Sequence, residues 1–125
     1  MSWDVDVCEN DAEGDPIEVP SHTEGGNYVV GGNWRAELNV TYNYSPQYHR
    51  VFPKDRCPDG FRSLNGMAVG DAIPLLEAAV ENLGTVPDED YWKATPGNAG
   101  KALALILSWC KLAVERGQKA VVVIH

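Results

Sequence analysis

Tyr91-Trp92-Lys93-Ala94-Thr95-Pro96-Gly97-Asn98-Ala99-Gly100 runs directly into the apolar segment Ala102–Val114. Thr95 followed by Pro96 reads as an N-cap and first helical position, because the hydroxyl accepts a backbone N–H and proline brings a helical φ with no donor to leave unpaired. The segment predicts a long helix from Pro96 to Arg116, ended by Gly117. Leu103, Ile106, Leu107, Cys110, Ala113 and Val114 form its main apolar face, widened by Leu105, Trp109 and Leu112. A helix apolar on most sides is a central one. Its first turn is made of small residues, so a ligand can approach the backbone. Free N–H groups and the positive end of the helix dipole make such a terminus a candidate anion site.

Outward from this helix, the order of elements reads β-rich half, two helices, one strand. Trp3, Val5 and Val7 alternate with polar residues as a half-buried strand. Ile17–Val19 and Tyr28–Val30 are short strand candidates, Ser21–Gly26 a loop, and Gly31-Gly32-Asn33 a hairpin turn. Between Ala36 and Tyr44, Leu38, Val40, Tyr42 and Tyr44 are expected on one face, with Glu37, Asn39, Thr41 and Asn43 on the other. Ser45-Pro46 opens a short helix over 47–52, and residues 53–66 form the longest loop. A second principal helix is expected over 71–83, with Pro74 in its first turn and Gly84 as its stop. Ala120–Ile124 reads as an apolar strand. The sum is a single α+β domain over residues 1–125: a mainly antiparallel sheet, two principal helices packed on one face, and a C-terminal strand returning to the sheet.

Composition narrows the classes of function. With 125 residues, 44% hydrophobic and 22% charged, the chain can bury a core, and no apolar run reaches membrane-spanning length. Met1-Ser2-Trp3-Asp4 lacks the basic start and apolar stretch of a signal peptide, so a cytoplasmic location is expected. The net charge of −8 is unevenly distributed. All lysines and arginines lie from Arg35 onward, whereas Asp4, Asp6, Glu9, Asp11, Glu13, Asp15, Glu18 and Glu24 precede it. Such a segment repels duplex DNA, and it can also imitate nucleic acid toward a basic protein. A local basic cluster survives at Arg50, Lys54, Arg56 and Arg62. Cys8, Cys57 and Cys110 are widely spaced, and the three histidines share no ligand spacing, so neither a metal site nor a cofactor is expected.

The segment from Glu24-Gly25-Gly26 through Ala36-Glu37-Leu38-Asn39-Val40-Thr41-Tyr42-Asn43-Tyr44 carries a resemblance, together with Tyr91-Trp92 and Thr95–Gly100. The chain resembles small uncharacterised proteins of tailed phages and prophages. That resemblance implies an accessory protein acting in the cytoplasm of an infected bacterium, in a setting where anti-defence factors are frequent. Some such factors sequester nucleotide second messengers; others are acidic inhibitors.

Three functions follow as expectations. The first is non-enzymatic sequestration of a nucleotide-like ligand. Asn39, Thr41 and Asn43 would read polar edges, Tyr44, Tyr48, Tyr91 and Trp92 would stack, and Thr95, Gly97 and Asn98 would take phosphate, helped by Arg35, Arg50 and Lys93. The second is an acidic mimic that binds a basic host defence protein. The third is a small hydrolase centred on His22 and Glu24. An apolar C-terminal strand edge, finally, suggests a homodimer.

Overall fold

The computed structural model describes residues 2–11, 14–23, 33–90 and 92–125. The candidate strand at Tyr28–Val30, the glycines at 31 and 32, Glu24 and Tyr91 lie outside those residues. The fold is α+β; the described residues form a three-stranded antiparallel sheet, a two-stranded one, and three α-helices. Strand β1 (Ser2–Glu9) is central, flanked by β4 (Glu37–Thr41) and β5 (Ala120–Ile124). Strands β2 (Glu18–His22) and β3 (Asn33–Arg35) pair separately, so Ser21 and His22 belong to a strand and not to a loop. Ile17 donates to the Val7 carbonyl and Ala36 to that of Ile17, which ties the two sheets together.

Register aligns Trp3 with Val40, Val5 with both Leu38 and Ile124, and Val7 with Val122. All seven are buried and share one face, because side chains alternate along a strand. Helices α2 (Val69–Leu83) and α3 (Pro96–Glu115) share the continuous core with that face. Leu83 meets Gly100 while Glu77 reaches Lys111 at 3.4 Å, so the two helices run antiparallel. At one end of the sheet, Trp3, Tyr48 and Phe61 pack ring against ring, with Tyr48 and Phe61 centroids 4.8 Å apart. At the other, Trp109 of α3 stands against the His22 ring.

Several elements depart from the periodicity. The strand over 36–44 ends at Thr41, whose hydroxyl accepts from the Asn43 N–H and starts a 3-10 turn at Tyr42–Tyr44. Tyr44 therefore drops into the core, whereas Tyr42 is exposed and Thr41 is buried. Helix α1 follows at Ser45–Val51. Helix α2 starts two residues before the expected Asp71, which places Pro74 sixth and inside the helix. Proline there cannot donate to the carbonyl four residues back, that of Gly70. On α2, Ala72, Leu75, Leu76, Ala79 and Leu83 are buried, while Ile73 and Val80 are only partly so.

Strand β5 lies at the edge of its sheet, yet that edge is occupied by residues 65–68. Gly66 donates to the Val122 carbonyl, Val122 donates to the Met67 carbonyl, and Ile124 donates to Asn65 Oδ1. Ala68 bridges Val121. Strand-edge donors at Val122 and Ile124 are thus satisfied within the chain, which removes the premise of the edge argument for a homodimer.

Candidate functional site

The N-terminal turn of α3 is built largely to hold its own upstream chain. Thr95 Oγ1 accepts from the Asn98 N–H at 3.1 Å, a side-chain cap of the expected kind. The Asn98 side chain is buried and makes three further bonds. Its Oδ1 accepts from the Asp88 N–H at 2.8 Å, and its Nδ2 donates to the Asp90 and Lys93 carbonyls, both at 2.9 Å. The glycines serve the same purpose. A β-carbon at 97 would overlap the Val86 carbonyl oxygen, and one at 100 would overlap that of Gly84. The small residues thus accommodate the chain that enters the helix.

The expected ligand residues divide into three groups. One group converges on this turn: Asn43 Nδ2 donates to the Trp92 carbonyl at 2.9 Å, and Tyr48 Oη donates to that of Ala99 at 3.0 Å. Gln47 adds a bond to the Ala94 carbonyl, and Lys93 lies 3.8 Å from Asp88. A second group stands elsewhere. Asn39 faces the other side of the sheet, donating to Asp4 Oδ1 and Ser2 Oγ, and Arg50 reaches Asn82 and Gln47. The third group is aromatic: Tyr44, and Tyr48 again, belong to the core, while Trp92 is 57% exposed.

Beside this turn lies a cavity that the sequence reading missed. Leu38 of β4, Pro87, Asp88, and Asn98, Lys101, Ala102 and Leu105 of α3 enclose about 240 Å³. Its lining is mostly apolar; of its charged members, Asp88 accepts from the Asp90 N–H through Oδ1 at 2.9 Å and lies 3.8 Å from Lys93 through Oδ2, and Lys101 carries an ammonium group. A volume somewhat below the roughly 300–1,000 Å³ of drug-sized sites suits one ring system and not an extended ligand. Leu38 and Leu105 are far apart in the chain, so no local motif announces the cavity. The available signal was Ala102, a small residue on a helix face otherwise rich in leucine and isoleucine.

His22 sits beneath Trp109 with ring centroids 5.0 Å apart, and its Nε2 donates to the Arg35 carbonyl. That is a packing position within the β2–β3 ribbon. Asp6 meets His125 at 3.1 Å; burial pushes its carboxyl above the usual range, partly offset by the histidine. Burial also pushes the Cys8 thiol up to about 11 and that of Cys110 to about 12, and raises Cys57. None of the three is poised as a thiolate nucleophile.

Among the described residues, no helix is long and apolar enough to cross a membrane. The fold and cavity define a small α+β chain with a ring-sized pocket at a sheet–helix junction. No family model, curated protein or solved structure matches it.

Proposed function

We propose that the protein is a non-enzymatic binder that sequesters a nucleotide-like ligand, with the ring system of that ligand held in the cavity between β4 and α3. The carrying observation is the cavity itself: apolar walls from Leu38, Pro87, Ala102 and Leu105, with Asp88 and Lys101 as polar groups of opposite kind. A heterocyclic base needs this combination, because its faces are apolar while its edge both donates and accepts. The exposed indole of Trp92 offers a second stacking surface. A host immune second messenger in an infected bacterium is the setting we propose, and it rests on the sequence resemblance alone.

Calorimetric titration with nucleosides, cyclic and linear nucleotides and ADP-ribose derivatives tests this reading. At least one ligand should release heat, Ala102→Phe should abolish the signal while keeping its melting transition, and the ligand should be recovered intact from the heat-denatured complex. Absence of binding across the panel, or recovery of a cleaved product, would overturn it.

One observation favours the acidic-mimic reading as a second possibility. Asp4, Asp6 and Glu37 share the face of the sheet opposite the core residues, with Asp6 directly across from Glu37. A basic partner held there would be released steeply as salt rises. Failure to recover any basic protein at low salt would count against it.

A further inference from the structure

A second, open cleft lies on the long loop, distinct from the ring cavity. His49, Arg56, Pro58, Asp59, Arg62, Ser63 and Asn65 surround about 870 Å³. The loop that carries it is anchored, since Cys57, Phe61 and Leu64 are buried in the core. Cys57 donates to the Pro53 carbonyl and Gly60 to that of Cys57. Gly60 has φ +61°, and a β-carbon there would press on the His49 ring at 2.9 Å. Glycine therefore serves twice, by permitting the left-handed turn and by leaving room for the imidazole.

The cleft presents hydrogen-bond donors. Ser63 Oγ already accepts from the Asp59 N–H at 2.9 Å, so its hydroxyl proton is left to donate. Asn65 Oδ1 accepts from the Ile124 N–H at 2.9 Å, which leaves the amide NH₂ group as donor. Among the described residues, neither Arg56 nor Arg62 has a carboxylate within ion-pair distance. The Ser63 and Asn65 oxygens each have one accepting position taken by the backbone, while their donors and two guanidinium groups remain, in a chain whose net charge is −8. Among the lining residues, the opposing charge is the Asp59 carboxylate, which repels an anion but accepts from a hydroxyl.

We propose that this cleft binds a phosphate monoester of a small hydroxylated molecule. Arg56 and Arg62 take the phosphate, Ser63 and Asn65 add neutral donors, and Asp59 accepts from a hydroxyl on the carbon skeleton. Guanidinium suits phosphate because its planar N–H groups match two oxygens at once. Asp59 and the overall negative charge disfavour a long polyanion.

The test is calorimetric titration of the full chain with ribose 5-phosphate, inorganic phosphate, ribose and a short DNA duplex. Ribose 5-phosphate should bind more tightly than inorganic phosphate, and ribose and duplex should not bind. The double variant Arg56→Gln/Arg62→Gln should weaken ribose 5-phosphate by roughly 30-fold or more, with an unchanged melting temperature. Asp59→Asn should tighten inorganic phosphate and narrow the gap between it and ribose 5-phosphate. Ala102→Phe, which fills the other cavity, should leave all these values unchanged, so that failure of one site is distinguishable from failure of the other. Equal binding by the double variant, no binding of either phosphate, or preferred binding of the duplex would each overturn the proposal.

Discussion

The turn at 95–100 and the loop at 53–66 make opposite use of similar ingredients. Both contain glycines, a proline, a hydroxyl or amide side chain, and basic residues in or near them. At the turn, Asn98 and Thr95 spend their polar atoms on Asp88, Asp90, Lys93 and the helix backbone, and both glycines are filled by carbonyl groups of the incoming chain. In the loop, Ser63 and Asn65 give up only acceptors, and Arg56 and Arg62 form no ion pair among the described residues. Residue type announces a polar cluster; whether it binds its own chain or a ligand depends on which donors remain after the internal bonds are counted.

The largest expected effect tests the turn. Gly100→Ala or Gly97→Ala drives a β-carbon into a backbone carbonyl that cannot rotate away, so each should cost about 3 kcal/mol or more in denaturant unfolding. A loss near zero would mean that the turn has the spare room a ligand site needs. Asn98→Ala follows, at about 3 kcal/mol, since three buried or partly buried bonds lose their partner. Thr95→Ala removes a single cap and should cost about 1 kcal/mol. Arg56→Gln, by contrast, should stay within about 0.5 kcal/mol of the parent chain, because Arg56 makes no hydrogen bond or ion pair among the described residues. Large destabilisation there would show the loop to be structural after all.

A smaller effect concerns pH. The Asp6 carboxyl is raised in the folded state, chiefly by burial. Its folded form therefore holds a proton more tightly than the unfolded chain does, and its contribution is favourable below the ordinary carboxylate range and lost as pH rises through the raised value. Asp6→Asn should flatten this part of the stability profile between acid and neutral pH. An unchanged profile would show that Asp6 contributes nothing to it.

Much of the architecture was legible because it is local. Thr95-Pro96 and Gly117 bracket α3 closely, and the alternation of Trp3, Val5 and Val7 marks the buried face of β1. The start of α2 was misplaced because its N-cap, Ala68, provides no side-chain bond to mark it. The end of β4 was hidden because Tyr42 and Tyr44 continue the alternation after Thr41 has already capped a turn. The protected edge of β5 depends on Asn65 and Gly66, far away in sequence. Of the site, the basic residues of the loop were visible as charge, whereas the ring cavity requires Leu38 and Leu105 to meet across two elements.

Amide-resolved NMR of the uniformly labelled chain, titrated with ribose 5-phosphate, tests the contrast between turn and loop most directly. The account predicts saturable shifts at Arg56, Arg62, Ser63 and Asn65, with Gly97, Asn98 and Ala99 unmoved because that turn is already occupied by its own chain. Saturable shifts at 97–99 with a silent loop would contradict it.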